Sequence, residues 1–206
     1  MSATVQAGRP SDEMLESQRP PFAELARAEL PALYSLARRL TDDDAEDLVQ
    51  DCLLRAFRAY DSLHNPAAAG RWLRAILVNT FRDRLRKRGR SVEETTLDEA
   101  EQGLSLYRTI AEQDPFPYSD SLHIDFLACF GEDDVRSVLL RLPPLYRAPL
   151  VLRYMEGFAT KEIARLLDVP LGTALARLHR GRKLFEKEMW AYANDHGLLE
   201  PRGSRR

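Results

Sequence analysis

Apolar residues recur three or four positions apart in stretch after stretch of this chain, the spacing of one helix face. Phe22, Leu25, Ala26, Leu30, Leu33, Tyr34, Ala37 and Leu40 form the first stripe. Pro31 within it predicts either a kink or a restart with Pro31 in the first turn. Thr41-Asp42-Asp43-Asp44 then supplies capping oxygens and negative charge for a second helix, Ala45 to Tyr60. Its buried face is Leu48, Val49, Cys52, Leu53, Ala56, Phe57 and Tyr60, which leaves Asp47, Gln50, Asp51 and Arg55 outward as an ordinary solvated face. Asn65-Pro66 and a closing Gly70 mark residues 61–70 as a loop. The third helix, RWLRAILVNTFRDRLRKRGR, has an apolar body of Trp72, Leu73, Ile76, Leu77, Thr80 and Phe81, interrupted by Asn79.

The pattern resumes near Glu132. Val135, Val138, Leu139 and Leu142 predict a short helix closed by Pro143-Pro144. Leu145 to Met155 predicts another, with Leu150, Val151 and Tyr154 inward and with Pro149 imposing a kink or a delayed start. Thr160 is placed to cap a helix carrying Ile163, Ala164 and Leu167 on one face. Pro170 disfavours an α conformation at Val169, so Asp168-Val169-Pro170 is a break. Leu171 opens the last helix, with an inner stripe of Ala174, Leu178, Gly181 and Phe185 and an outer one of Leu175, Ala176, His179, Arg180 and Lys183. Two short helices joined by a tight turn, with cations outward on the second, describe either a helix-turn-helix for a DNA major groove or a helical hairpin with a solvated basic face. Strand-like alternation is missing throughout, so the expected fold is all-α: two small helical domains joined by an acidic linker, the second a helix-turn-helix domain of four helices.

Charge changes this picture more than composition does. The 206 residues are 44% hydrophobic and 30% charged, which is globular, and the formal net charge is −2. A DNA-binding protein is expected to be basic, but the charge is segregated. Arg82 to Arg90 carries six cations against Asp83 alone, more than a helix terminus requires and suited to a polyanion. Ser91 to Asp134 carries twelve acids against Arg108 alone and is broken by Asp114-Pro115-Phe116-Pro117. The expected domains are therefore a tail (1–20), a first domain (21–90), the acidic linker (91–131), a second domain (132–197) and a final tail (198–206). Leu122, Ile124, Phe126, Leu127 and Phe130 give the linker one short helix or docking segment. Cys52 and Cys129 lie in apolar helical patterns without a CxxC pair, which reads as packing and not as a metal site. With no signal-peptide pattern and no apolar run of about 20 residues, membrane insertion is not expected and a cytoplasmic location is. No glycine-rich phosphate loop and no Cys/His ligand spacing appears, so neither an enzyme nor a cofactor is expected.

Four stretches, AEDLVQDCLLRAF, RWLRAILVNTFRDRLRK, LPPLYRAPLVLRYMEGF and KEIARLLDVPLGTALARLHRGR, in that order and at those distances, resemble the extracytoplasmic-function group of bacterial sigma-70-type sigma factors. The resemblance covers about residues 22–90 and 132–195. EGFATKEIA, RLHRGRK and the Tyr192 to Leu199 ending are most similar to its redox and heat stress-response branch. It implies a subunit that binds core RNA polymerase, recognises the −35 and −10 promoter elements and helps melt the DNA, with an anti-sigma factor as a regulatory partner. Asp47, Gln50, Asp51 and Arg55 then become contacts for the β′ clamp helices, and the second domain meets the β flap. Ser62, His64 and Asn65 would line a pocket for a flipped −10 base. Trp72 and Asn79 would meet the exposed strand, and Arg82, Arg86, Lys87 and Arg88 its phosphates. In the −35 reader, Lys161, Thr173, Arg177 and Lys183 would hold phosphates while His179 and Arg180 discriminate bases. Family members usually carry a polar or long residue and then Ser where this chain has Leu175 and Ala176, which could touch only thymine methyl groups. The linker is expected either to mimic nucleic acid inside the polymerase channel or to be a soluble spacer. A competing reading is a stand-alone helix-turn-helix regulator whose first domain is a sensor or partner-binding module.

Overall fold

The computed structural model describes residues 20–88 and 130–198, and among these every regular element is a helix. The expectations for both tails, for the acidic linker and its segment from Leu122 to Leu127, and for Arg90 lie outside the described residues. In chain order the α-helices are α1 (Phe22–Leu40), α2 (Ala45–Arg58), α3 (Ala69–Lys87), α4 (Glu132–Arg141), α5 (Pro144–Leu150), α6 (Thr160–Leu167) and α7 (Leu171–Asp195).

The first three pack on one another around Leu33, Leu36, Leu40, Leu48, Cys52, Leu73 and Leu77, all fully buried. Each such leucine contributes about 1.5–3 kcal/mol relative to exposure. Helix α1 runs unbroken through Pro31, which lies on its exposed side, where water can solvate the carbonyl that loses its donor. Phe57 differs from its expected place: it is 64% exposed and meets Phe22 only edge-on, with ring centroids 5.4 Å apart. Helix α2 ends at Arg58, and Tyr60–Ser62 forms a tighter turn. The Tyr60 hydroxyl donates to the Pro20 carbonyl, anchoring the chain where α1 begins.

Helix α7 closes the second bundle against α4, α5 and α6 over Val138, Leu142, Leu150, Leu178 and Met189. Gly181 marks the closest approach: a Cβ there would lie 3.2 Å from the Tyr146 carbonyl oxygen and 3.3 Å from the Leu150 side chain. The helix begun at Pro144 continues past Pro149 as a wider turn, Val151–Met155, in which Glu156 N–H donates to the carbonyl of Val151, five residues back. Pro149 has no N–H to give, and the ladder widens just after it. That change of phase turns Leu152 inward and Tyr154 outward, 60% exposed, against the expectation for Tyr154.

The two bundles pack against each other, α1 on α4 and α5, and α3 on α6. Val78 of α3, fully buried, belongs to a cluster with Leu152, Phe158 and Ile163 of the second bundle. Among the described residues no helix is long and apolar enough to cross a membrane.

Candidate nucleic-acid interface

The helix-turn-helix is formed by α6 and the first half of α7. Its cap differs from the expected one: Ala159, not Thr160, precedes the first turn, and the Glu162 carboxylate accepts the Ala159 N–H at 2.7 Å. That bond, with the Arg71 guanidinium beside it, holds the Glu162 carboxyl below its ordinary range. Asp168 ends α6 in the left-handed region, φ 56°. This conformation is open to Asp and Asn among residues with a side chain, and it releases the chain into Val169-Pro170 before α7.

Packing sorts the candidate residues of α7. Arg180 and Lys183 are exposed, and Leu175 and His179 are half-buried. Ala176, expected on the outer stripe, is 8% exposed, and Thr173 and Arg177 are equally enclosed. Helix α7 is covered on two sides, by α6 and by α5, so its outward strip is narrower than a single inner stripe predicts. Lys161 is exposed on α6 and flanks, with Arg165, an open hollow at the foot of α7. Two cations beside a helix N-terminus suit a phosphate.

In the first bundle, Ser62, His64 and Asn65 are all exposed on the loop before α3. The Ser62 hydroxyl donates to the Ala59 carbonyl at 2.6 Å, and the Asn65 side-chain oxygen accepts the Ala67 N–H at 3.0 Å. Both polar side chains thus shape the loop. Trp72 and Asn79 are half-buried along α3. Of the cations near its end, Lys87 points to solvent, whereas Arg88 donates to Asp44 at 2.6 Å, which raises the guanidinium pKa. Arg82 donates to the Leu166 carbonyl at 3.1 Å, and Arg86 to Asp168 at 3.1 Å.

The candidate polymerase face on α2 divides in the same way. Asp47 and Gln50 are exposed. Asp51 accepts two bonds from Arg84, Nε at 3.0 Å and Nη2 at 2.5 Å, and Arg55 donates to Asp83 at 2.7 Å. These pairs lash α2 to α3, so Asp51 and Arg55 have structural partners that the outward reading did not give them. Buried Cys52 donates weakly to the Leu73 carbonyl at 3.5 Å, and burial pushes its thiol up to about 12. No group of three His, Cys, Asp or Glu side chains among the described residues could hold a metal ion.

Sequence reading named Arg82 and Arg86 but missed Arg71, Arg74 and Val78 and the stripe that joins all five: Arg71, Arg74, Val78, Arg82 and Arg86 are spaced three, four, four and four apart on one side of α3. The signal was legible in that spacing, but a single apolar residue among four arginines does not announce a packed face.

Comparison with known proteins adds to this geometry. The family model described as Sigma-70 region 2 matches residues 25–91, and that of Sigma-70 region 4 matches residues 132–185. The chain is 35% identical over 173 residues to the ECF RNA polymerase sigma factor SigE of Mycolicibacterium smegmatis, covering 82% of this chain and spanning 61% of that protein's length. It is 31% identical to SigM of Mycobacterium tuberculosis, covering 78% of this chain and 73% of that one. Among solved structures it resembles the sigma factor RpoE of Bartonella quintana, in complex with the anti-sigma factor NepR: TM-score 0.54, 25% identity, 82% of this chain and 96% of that one.

Proposed function

The chain belongs to the extracytoplasmic-function sigma factors of the sigma-70 family, and on that footing we propose that it binds core RNA polymerase and directs it to −35 and −10 promoter elements. The observation that carries this reading is the narrow outward strip of α7, with Arg180 and Lys183 exposed beyond an inner face built from Ala174, Leu178 and Gly181. In this reading the strip enters the major groove at the −35 element. Lys161, Arg165 and the N-terminus of α7 hold phosphate, and Arg180 with His179 reads base edges. Leu175 adds apolar contact, while Ala176 belongs to the packing.

The loop of Ser62, His64 and Asn65 and the body of α3 receive the −10 strand. Asp47 and Gln50 carry the α2 contact to polymerase, assisted by Asp51 and Arg55 only as far as their ties to α3 allow. An anti-sigma partner, such as RpoE of Bartonella quintana has in NepR, fits the same surfaces. The location is cytoplasmic, and the regulated genes are stress genes.

Reconstitution tests the proposal. The chain is mixed with core polymerase, the promoter DNA it retains is sequenced, and run-off transcription is measured from that promoter. Transcription that needs both chain and core is the expected result. Tight, sequence-specific DNA binding by the chain alone, with no transcript from the mixture, would instead establish a stand-alone regulator.

A further inference from the structure

The second bundle lies along the missed stripe of α3. Arg71 donates to Glu162 at 2.5 Å and stacks over the Phe158 ring at 4.2 Å. Arg74 Nε lies 2.9 Å from Glu156, whose other oxygen faces Arg39 of α1 at 3.7 Å. Val78 is buried at the middle of the stripe. Arg82 reaches the Leu166 carbonyl, and Arg86 reaches Asp168. Every arginine of the stripe is thus met by an oxygen of the second bundle. At 1.5 Å per residue, Arg71 and Arg86 are about 22 Å apart along the helix, a span over which a nucleic-acid strand presents several phosphates.

We propose that this contact is an autoinhibitory latch: Glu156, Glu162 and Asp168 stand where phosphates would stand on α3, so the free chain cannot use that helix until the bundles part. The proposal rests on the reading that α3 receives the −10 strand. Its pieces are matched to release. Arg86, Asp168 and Glu162 are solvent-exposed enough for their pairs to be weak and screened by salt. Glu156, with its side chain 9% exposed, and Val78 hold the centre. A polyanion brought up by polymerase competes with the outer pairs first. The contact then left to part is the apolar one, Val78 with Leu152 and Phe158 and the first core with Leu139, Ala148 and Val151, together with the Arg39–Glu132 and Arg136–Asp42 pairs. The −35 reader is restrained by the same contact, because Asp168 and Leu166 belong to the end of α6.

The test uses the full chain without polymerase. The triple variant Glu156→Gln/Glu162→Gln/Asp168→Asn is compared with wild type by small-angle X-ray scattering and by binding of a fluorescein-labelled single-stranded DNA oligonucleotide. A control, Asp43→Asn/Glu46→Gln/Asp195→Asn, removes the same charge from exposed positions away from the interface. The triple variant is expected to have a larger radius of gyration and to bind the oligonucleotide about tenfold more tightly, as for a closed-to-open ratio shifted by that factor. The control is expected to stay compact with less than about a twofold gain, the long-range charge effect alone. Adding Arg82→Ala/Arg86→Ala to the triple variant abolishes its gain.

The latch is overturned if wild type is already as extended as the triple variant, if opening leaves oligonucleotide affinity unchanged, or if the control gains as much. Should the triple variant lose its helix signal in circular dichroism, Asp168→Asn alone carries the test with the same sign and about a threefold effect, since Asn accepts the left-handed backbone there. Failure of the underlying reading looks different: holoenzyme carrying Arg82→Ala/Arg86→Ala would then transcribe like wild type, whatever the free chain does.

Discussion

Val78→Ala tests the apolar contact between α3 and the second bundle. Val78 is fully buried, and its cluster partners Leu152, Phe158 and Ile163 all come from the second bundle. Truncation removes two methyl groups, about 0.8 kcal/mol each in transfer. The small cavity they leave adds about 1 kcal/mol where its walls do not collapse, at about 24 cal/mol per Å³. When the bundles separate, position 78 faces water in both proteins, so the whole loss of about 2–3 kcal/mol falls on closure. At tenfold per 1.4 kcal/mol, the open form becomes about 30- to 150-fold more populated. Amide hydrogen exchange read by mass spectrometry checks this. Peptides from 69–87 and from 151–167 should lose protection together, while peptides from 45–58, on the far side of the first bundle, keep theirs. Loss confined to 69–87 would mean that Val78 supports only its own helix, and the argument from the shared cluster would fail.

Three other outcomes are expected. Arg180→Ala should weaken holoenzyme binding to its promoter by about 1–3 kcal/mol and relax preference at one −35 position; fluorescence anisotropy on a panel of single-base −35 variants reads both, and wild-type affinity would refute the assignment. Cys52, in a Cys129→Ser background, should resist iodoacetamide in the native state. Its thiol keeps its proton up to about 12, while the unfolded chain releases it from about 9.0. At this site the folded state therefore holds a proton that the unfolded chain releases between those values, so the stability difference between wild type and Cys52→Ala should fall by about 1.4 kcal/mol per pH unit as pH rises through that window; denaturant titrations of the two proteins side by side check this, and a difference that does not change with pH would refute it. Gly181→Val should cost about 2–3 kcal/mol in urea unfolding, since the added carbons meet a backbone carbonyl that cannot move aside; an unchanged midpoint would show that α5 and α7 have room to separate.

The helices were readable from the chain because most have one buried side, and one side is what a period near 3.6 reports. Leu33, Leu73, Ile163 and Ala174 are buried where the stripes placed them. Departures come where a second neighbour or a change of pitch intervenes. Val78 and Ala176 lie off their helices' main apolar stripes and are buried because α3 and α7 are each packed on more than one side. Tyr154 faces outward because the ladder widens after Pro149. The cation-rich end of α3 was legible as charge, but its partners were not. Arg84 with Asp51, Arg88 with Asp44 and Arg86 with Asp168 join positions 33, 44 and 82 residues apart, which no local pattern encodes.

The widened turn at Val151–Met155 also constrains how this chain can change in length. An α-helix turns about 100° with each residue. One residue inserted into or deleted from Val151–Met155 would therefore swing everything after it by more than a quarter turn about the axis of α5. Glu156 would leave Arg74, and Phe158 would leave Val78, even if every residue kept its identity. Related chains should accordingly keep a fixed residue count from Pro149 to Glu156.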